Sequence, residues 1–305
     1  MITTNLTGNL GNHMWQYAVC RAVAEKLGYE WGINSSPTHD YHRGMNQMYF
    51  MNVDFGKQNF DEVNKVFHEK WTNYNFNGED VNITMLDSRV WEIEDNTRMI
   101  GHNGAFGGLF QCERYFEGIE DEVTNWFSLN SNYSEQYRKK LIDLGIELND
   151  DTCVINFRGG EYRGIPKVLC RKEYWRDSIN HMLETNPNMK FIVITDDPEC
   201  SSWYMPFNIP TYHFDIGFDF YVVNQSKWTI ISNSSFGWWA AWLNKNSKKI
   251  IAPKYFSAHN FSDGFWGLGE SFTKRFIYMD REGNISNYEN CKKEAIEYYK
   301  TRNII

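Results

Sequence analysis

The sequence predicts an α/β protein built on parallel, doubly wound sheets. Through the second half of the chain, short apolar strands alternate with helical segments, a spacing typical of parallel sheets. Glycine-rich or small polar turns follow several of these strands. The 305 residues suffice for two domains, and Leu144-Gly145 followed by Asn149-Asp150-Asp151 indicates a boundary between residues 1–149 and 150–305.

The composition limits the classes of partner. A hydrophobic fraction of 42% supports a real core, and aromatic residues at 17% contribute mostly to that core, although such rings also stack on sugars. The net charge of −8 argues against nucleic acid or an anionic membrane as the main partner. Neither a leader peptide nor an apolar run of about 18 residues is evident, which predicts a cytoplasmic protein without a transmembrane segment.

Neither a disulfide framework nor a metal site is indicated. The six cysteines form no Cys-X-X-Cys pair, so we expect free thiols in a reducing compartment. Histidines and an aspartate cluster in residues 37–44, but without regular ligand spacing, and we favour a solvated loop there over a metal site. The cysteines are Cys20, Cys112, Cys153, Cys170, Cys200 and Cys291.

The first half opens with a predicted strand, a glycine turn and a long helix. Residues 1–7 form the strand, Gly8 and Gly11 lie in the turn, and helical spacing of apolar residues continues to Gly28, which ends the helix. The glycines allow backbone to approach a ligand closely, although similar turns end many strands without one. The turn is not a phosphate loop of the Walker type. Further helices are expected at about 117–127 and 134–144.

In the second half of the chain, predicted strands alternate with predicted helices. Because the carboxyl ends of parallel strands meet at one edge of a sheet, Arg158, Asp196, Asp197 and Ser234 should lie along that edge, where ligands of such sheets bind. The predicted strands are 153–157, 191–195, 211–214, 229–232 and 249–252, and the predicted helices are 172–185, 219–227, 235–244 and 285–300.

Residues 230–243 are the centre of the functional prediction. An apolar strand meets Asn233, Ser234 and Ser235, all favourable N-cap residues, and a bulky apolar helix follows. The first amides of a helix lack internal partners and carry the positive end of its dipole, which suits a phosphate. The alternative is an ordinary capped core helix.

Charged residues at the same edge suit a nucleoside diphosphate. Arg158 can bind a phosphate with its bidentate fork, or can form a surface ion pair. A carboxylate such as Asp219 can accept both N–H groups of a guanine edge. For Asp196-Asp197 we favour a turn before Pro198.

Five segments, taken together, resemble the α-1,2-fucosyltransferases of glycosyltransferase family 11. The first two match the family's Gly-Arg-Leu-Gly-Asn-Gln opening and its middle motif. The third matches the His-Ile-Arg-Arg-Gly-Asp-Tyr signature, and the fourth matches the Asp-Asp-Pro that ends a strand. The fifth matches the Asn-Ser-Ser/Thr-Phe-Ser-Trp-Trp block, and Ala252-Pro253-Lys254 follows it. Here the five read Gly8-Asn9-Leu10-Gly11-Asn12-His13, Phe110-Gln111-Cys112-Glu113-Arg114-Tyr115-Phe116, Asn156-Phe157-Arg158-Gly159-Gly160-Glu161-Tyr162, Ile194-Thr195-Asp196-Asp197-Pro198 and Asn233-Ser234-Ser235-Phe236-Gly237-Trp238-Trp239.

The resemblance implies a GT-B architecture, with two Rossmann-like domains facing a cleft. It implies an inverting transfer of fucose from GDP-fucose to a glycan hydroxyl, in α-1,2 linkage to galactose, without a metal or other cofactor. The donor is held by the C-terminal domain, and the N-terminal domain serves the acceptor. Arg158 binds the β-phosphate with Ser234, Ser235 and Phe236; Asp219 binds guanine; and Asn12 lies near the phosphate and glycosidic oxygen.

Two residues are candidates for the catalytic base. Glu161 stands at the place of the motif aspartate and is a candidate base, but we favour a role in orienting Arg158. His13 is a second candidate.

The chain also departs from the family pattern. Asn9 and Gly159 replace arginines, which removes two cations near the phosphates, and Asn156 and Glu161 replace the motif histidine and aspartate. Arg163, Arg171 or Lys254 are candidate substitutes. Another donor sugar or linkage therefore remains an alternative, as does a glycan- or nucleotide-binding protein with weak catalysis.

Overall fold

A computed structural model describes residues 1–34, 47–57, 63–104, 107–265 and 270–305 of the chain. The loop predicted at residues 37–44 lies outside the described residues. All six cysteines lie within them, and each is a buried free thiol, as predicted. Of the helices in these ranges, not one has the length and apolar character that crossing a membrane requires.

The chain divides into two compact units. The first comprises Met1–Asn130 and Trp266–Ser271, and the second comprises Ser131–Phe265 and Phe272–Ile305. Glu270 attaches the later segment to the rest of the first unit. It pairs with Arg114 and accepts the Leu86 N–H at 2.7 Å.

The division falls earlier in the chain than the predicted boundary at 149 and 150. The helix that follows Asn130 joins the second unit because Tyr137 packs against Phe218 and Tyr221, with ring centroids 5.4 Å apart in each pair. The break at Gly145 therefore ends a helix inside the second unit rather than separating the domains.

The first unit contains a four-stranded parallel sheet with the order β2-β1-β6-β3. Helix α1 packs on it and is buried over most of its length, as its apolar sequence predicts, and Gly28 ends it in the left-handed conformation. The elements are β1 Ile2–Asn5, α1 Leu10–Leu27, β2 Trp31–Asn34, β3 Lys65–His68, β4 Thr72–Phe76, β5 Glu79–Ile83, β6 Thr97–Ile100, β7 Asn103–Gly104, β8 Gly107–Gly108 and α2 Glu120–Trp126.

The second unit contains a seven-stranded sheet with the order β11-β10-β9-β12-β13-β14-β15, parallel except for β15. Strands and helices alternate as predicted as far as β13, and α5, β14 and β15 are additions to the predicted elements. The helix predicted at 285–300 begins later, at Tyr288, because Ile285 and Ser286 pair with β14. The elements are α3 Ser131–Asp143, β9 Thr152–Phe157, α4 Lys172–Thr185, β10 Lys190–Thr195, α5 Pro198–Tyr204, β11 Thr211–Tyr212, α6 Ile216–Gln225, β12 Trp228–Ile231, α7 Ser235–Trp242, β13 Lys249–Pro253, β14 Ile277–Met279, β15 Ile285–Ser286 and α8 Tyr288–Thr301.

Both units are thus α/β and built on parallel strands, which confirms the predicted fold class, the GT-B type with two Rossmann-like domains. In the second unit the register brings three strand ends level. Asn156 of β9 pairs with Ile194 of β10 on one side and with Ile231 of β12 on the other. The residues that follow these strands therefore emerge at one carboxyl edge, about 4.8 Å apart from strand to strand.

Helix α7 is anchored in the core by its tryptophans. Trp238, Trp239 and Trp242 are all buried, and the rings of Trp238 and Trp242 stack at 5.7 Å. Arg275 lies 3.9 Å from the Trp242 ring centroid and also donates to the Trp242 carbonyl. The buried body of the helix therefore holds its first turn in a fixed position at the carboxyl edge.

Candidate active site

The turn between β12 and α7 occupies the carboxyl edge of the large sheet. The Ser232 N–H donates to the Asn156 carbonyl at 3.0 Å, which extends the pairing of β12 with β9 by one residue. Asn233 is buried, and its side chain bonds the Val168 carbonyl at 3.1 Å and the Ser257 N–H at 3.2 Å. Asn233 thus ties the turn to two neighbouring loops and has a structural role.

Ser234 is the N-cap residue of α7, but its hydroxyl makes no capping hydrogen bond. The Trp238 N–H donates to the Ser234 carbonyl at 2.9 Å, and the first amides of a helix point towards its N-terminal end, where an anion can bind. Ser235 and Phe236 are half-buried, and the Phe236 ring meets Phe220 edge-on at 5.5 Å. The predicted strand, turn and helix start are present, with the geometry of an anion seat.

Arg158 directly follows the central strand β9 and is 23% exposed. Its guanidinium pairs with Asp196 at the end of β10 and lies 3.8 Å from Glu161. It also lies 5.6 Å from the Tyr162 ring centroid. The Tyr162 hydroxyl in turn donates to the Asn233 carbonyl at 2.9 Å. Tyr162 therefore joins the arginine to the β12–α7 turn, and both belong to one edge of the sheet.

Asp196 and Asp197 have different roles. Asp197 caps α5 by accepting the Cys200 N–H at 3.0 Å, in agreement with the predicted turn. Asp196 does more than form a turn, because it accepts the Gly159 N–H at 2.8 Å and pairs with Arg158. Asp196 thus holds both the loop and the guanidinium that follow β9. Its direct pairing with Arg158 extends the prediction that the two would share an edge.

Glu161 is 62% exposed, and its carboxylate is 3.8 Å from the Arg158 guanidinium. This geometry suits a residue that orients Arg158, the role favoured from the sequence. A catalytic base also needs hydrogen-bond reach to the attacking hydroxyl, so the assignment of Glu161 stays a prediction.

Asp219 lies in the first turn of α6, beyond the end of the edge strand β11, and is 7% exposed. It accepts the Phe214 N–H at 3.1 Å and lies 3.3 Å from His213. Burial raises the pKa of Asp219 above its usual range, and the hydrogen bond from Phe214 acts in the opposite direction. The predicted guanine contact therefore belongs to α6, whose Phe220 ring meets Phe236 of α7 at 5.5 Å.

In the first unit, Asn12 lies in the first turn of α1. Its Oδ1 accepts a hydrogen bond from Gln111 Nε2 at 3.0 Å. A side chain at Gly8 would place its Cβ 2.5 Å from Asn12 Nδ2, and Gly8 has a φ of +81°. Gly11 is buried in the same turn of helix. Glycine at position 8 therefore gives the Asn12 amide its space.

Gln111 follows a strained turn. Leu109 and Phe110 both have left-handed backbone, with φ of 58° and 61°, a conformation that costs about 1–3 kcal/mol at each non-glycine residue. Glu69 accepts the Phe110 N–H at 3.0 Å and the His102 N–H at 2.8 Å. Hydrogen bonds to a charged group contribute about 1.5–3 kcal/mol each, so the ionised Glu69 carboxylate offsets part of this cost.

Glu69 is itself buried, with 2% of its surface exposed. Burial raises the pKa of Glu69 to about 7, while the N–H groups of Phe110 and His102 oppose the rise and the nearby Asp87 adds to it.

Comparison with known proteins identifies the family. A family model described as glycosyl transferase family 11 matches residues 1–280. The chain belongs to glycosyltransferase family 11. It is 29% identical over 278 residues to an α-1,2-colitosyltransferase of Escherichia coli, a match that covers 83% of this chain and 91% of that protein. It is 23% identical over 274 residues to galactoside α-(1,2)-fucosyltransferase 2 of Gorilla gorilla gorilla, with 83% and 71% covered.

Two solved structures with lower similarity also match this family 11 enzyme. POFUT1 in complex with GDP-fucose is 11% identical, with a TM-score of 0.48 and 82% of this chain and 96% of that chain covered. A glycosyl transferase of family 9 from Veillonella parvula is 12% identical, with a TM-score of 0.48 and 96% and 88% covered. By family and relatives, the protein is a galactoside α-1,2-fucosyltransferase-like glycosyltransferase.

The structure accounts for some departures of this family 11 enzyme from the motif. A Cβ at Gly159, where the motif has an arginine, would lie 2.5 Å from the Asp197 Cβ, and a Cβ at Gly237, where the motif has a serine, would lie 2.3 Å from Asn156 Oδ1. Position 156, where the motif has a histidine, is also a departure, so the departures at positions 156 and 237 are in direct contact.

The three candidate substitute cations have other partners in the second unit. Arg163 pairs with Asp197 and Glu199, Arg171 donates to the Asn260 carbonyl at 2.6 Å, and Lys254 is buried against Glu294 at 2.7 Å. These contacts give each cation a structural role.

Metal independence of the enzyme also stays a prediction. Within the ranges that the structure describes, His, Cys, Asp and Glu side chains form no group of three or more that could hold a metal ion.

Several residues of this arrangement were not predicted as site residues. Tyr162, Gln111 and Asp196 lie within the motif matches, so the motifs could have indicated them. Glu69 lies outside every motif, and its role depends on contacts with residues far along the chain. The sequence offered no signal for it.

Proposed function

We propose that the enzyme transfers fucose from GDP-fucose to a glycan hydroxyl in α-1,2 linkage, with galactose as the acceptor sugar and inversion at the anomeric carbon. The observation that carries the proposal is that Arg158 and the β12–α7 turn follow adjacent strands and that Tyr162 contacts both. The names of the Escherichia coli and gorilla relatives support the linkage, and the gorilla name supports the sugar and the acceptor.

The donor's diphosphate fits the carboxyl edge of the large sheet. Arg158 offers a planar fork of donors, and the amides at the start of α7 add the positive end of a helix dipole. Asp219 lies in the first turn of α6, next to Phe220, whose ring meets Phe236 of α7, and is assigned to the guanine. Its carboxylate accepts the two N–H groups of the guanine edge.

Transfer makes the leaving group more negative. As the bond between the sugar and the β-phosphate breaks, the sugar acquires oxocarbenium character and GDP gains negative charge. Arg158 and the α7 amides stabilise that charge without reorganising, which is the largest catalytic contribution in many enzymes. Since Arg158 pairs with Asp196, the diphosphate either shares the guanidinium with this carboxylate or displaces it.

The second catalytic requirement is removal of a proton from the attacking hydroxyl. Glu161 is exposed beside Arg158 and is the candidate for this step, with orientation of Arg158 as its alternative role. Asn12 is assigned to the phosphate or glycosidic oxygen, where its amide N–H groups donate to developing charge.

A second candidate keeps the fold and linkage but changes the sugar. The relative with 29% identity is named a colitosyltransferase, and the departures at Asn9 and Gly159 remove two arginines of the family motif. A colitosyl nucleotide is therefore the alternative donor.

The test is incubation of the protein with GDP-fucose and a galactose-ended acceptor in EDTA, with a colitosyl nucleotide in parallel. An α-1,2-linked fucosyl product, identified by NMR and accompanied by GDP release, supports the proposal. A product formed from the colitosyl donor alone supports the second candidate. Binding of GDP without turnover indicates a nucleotide-binding protein, and tighter binding of UDP than of GDP overturns the guanine assignment of Asp219.

A further inference from the structure

Glu69 is a buried carboxylate that the proposed chemistry does not use. It follows β3, and its main-chain N–H donates to the Ile100 carbonyl of β6 at 2.9 Å. Its carboxylate accepts main-chain N–H groups, from His102 at 2.8 Å and from Phe110 at 3.0 and 3.1 Å. Such a site holds backbone in place, because each bond fixes one peptide group of a loop to the sheet.

The backbone it holds has a demanding geometry. Leu109 and Phe110 are consecutive left-handed residues, although neither is glycine, and such residues persist only where their surroundings determine them. The Leu109 N–H donates to the His102 carbonyl at 2.8 Å. A Cβ at Gly101 would lie 2.5 Å from the Leu109 Cα. The turn is therefore packed against the end of β6, and Glu69 bonds it from the other strand.

The residue that leaves this turn bonds Asn12, which the proposed function assigns to the donor. Gln111 Nε2 donates to Asn12 Oδ1 at 3.0 Å. Because the oxygen of the Asn12 amide accepts this bond, its nitrogen is the end of the amide that can donate to an oxygen of the donor substrate. The hydrogen bond from Gln111 thus fixes the orientation of the Asn12 amide.

We propose that Glu69 is a positioning residue for the transfer reaction, acting through the Leu109–Phe110 turn and Gln111 to orient the amide of Asn12. The inference rests on the proposed function, because it assumes that Asn12 contacts the donor. Glu69 itself stays buried and touches no substrate. Loss of its carboxylate frees the turn, and the Asn12 amide then rotates away from the orientation that stabilises charge.

The test is a set of kinetic cycles on the full chain with Glu69→Gln, Gln111→Leu and Asn12→Ala. Glu69→Gln keeps the size but sets an NH2 group against a backbone N–H donor. We expect Glu69→Gln and Gln111→Leu each to lower kcat roughly 10- to 100-fold, since misplacement by about 1 Å can cost that much. The KM for the donor should change by less than about threefold, because uniform binding is retained. In the Asn12→Ala background both changes should lose their effect on kcat.

Asp87→Asn is the matched control. Asp87 is also buried in the first unit and accepts a main-chain N–H, from Lys70 at 2.9 Å, but it does not bond the Leu109–Phe110 turn. We expect it to lower the melting temperature while kcat stays near the wild-type value. Amide hydrogen exchange should show faster exchange at Phe110 in Glu69→Gln but not in Asp87→Asn.

The outcomes separate this inference from the proposed function. If the wild type transfers sugar and Gln111→Leu keeps wild-type kcat, the positioning role is wrong while the function stands. The same holds if the losses of Glu69→Gln and Asn12→Ala simply multiply in the double variant. If the wild type transfers nothing, both proposals fall. If Glu69→Gln does not fold, the positioning role is tested by Gln111→Leu alone and by the double-mutant cycle of Gln111→Leu with Asn12→Ala.

Discussion

The two units hold their candidate functional groups by different means. In the second unit, strand register places Arg158, Asp196 and the β12–α7 turn at one edge, because β10, β9 and β12 end level. In the first unit, Asn12 is held by Gln111, and Gln111 leaves a turn that is bonded by the buried Glu69. One arrangement depends on sheet topology, and the other depends on single side chains.

This difference predicts which substitutions disturb only the residue that is replaced and which also disturb its neighbours. Replacing Arg158 at the edge of the large sheet should leave the β12–α7 turn in place, since the backbone of adjacent strands positions both. Replacing Glu69 or Gln111 should disturb groups that were not themselves changed. The predictions below test this difference, from the largest expected effect to the smallest.

The largest effect is expected for Arg158→Ala. Loss of the cation that faces the leaving diphosphate should lower kcat by roughly 10²–10³-fold, the range for removal of one preorganised contact. The melting temperature should change little, because the strands still set the edge. Arg163→Ala is the control, since Arg163 pairs with Asp197 and Glu199 instead, and its steady-state rate should be close to that of the wild type. A near-normal rate for Arg158→Ala would refute the role of this arginine.

The second-largest effect is expected on the affinity for GDP, which should depend on Asp219 and on pH. Burial raises its pKa, and only the ionised carboxylate accepts both guanine N–H groups. GDP affinity should therefore fall as the pH is lowered from about 8 to about 5, through the range in which Asp219 takes up a proton. Asp219→Asn should weaken GDP binding about tenfold or more at high pH, consistent with loss of a charged hydrogen bond.

Isothermal titration with GDP and UDP over this pH range measures the effect of Asp219. UDP lacks the guanine edge, so neither the pH nor Asp219→Asn should alter its affinity in this way. Equal pH dependence for both nucleotides would place the titrating group elsewhere and contradict the guanine assignment of Asp219.

A smaller effect is expected from two glycines of the first unit. Gly8 and Gly28 both have left-handed backbone, with φ of +81° and +72°, so alanine at either position should cost about 1–2 kcal/mol of stability. A Cβ at Gly8 would meet Asn12 Nδ2 at 2.5 Å, whereas a Cβ at Gly28 meets nothing within 4 Å. Thermal unfolding should be similar for the two variants, but we expect only Gly8→Ala to lower kcat severalfold. Equal kcat values would count against a role for Asn12.

The smallest effect is expected for Glu161→Gln. If Glu161 orients Arg158, its loss should lower kcat by only a few fold, because Asp196 still pairs with the guanidinium. The pH profile of kcat/KM should then keep its shape. A general base would instead contribute about 10²–10⁴-fold. A loss of that size, with disappearance of the acidic limb of the profile, would establish Glu161 as the base.

The sequence predicted the second unit well because its signals are local. Apolar strands and cap residues lie next to the features that they define, and the shared edge of Arg158, Asp196 and Ser234 follows from parallel pairing alone. The ends of α4 at residues 172 and 185 agree with the prediction.

The rest depends on contacts between distant residues. Glu69 and Phe110, or Asn12 and Gln111, meet only in the folded chain, and no periodicity signals them. The unit boundary was predicted too late because α3 and α6 join through aromatic contacts that the sequence pattern does not reveal.

A crystal structure of the protein with GDP tests the central claim most directly. We expect the β-phosphate within hydrogen-bond distance of the Arg158 guanidinium and of the first amides of α7, with the guanine edge on Asp219. A diphosphate bound away from Arg158 and the β12–α7 turn would contradict the account.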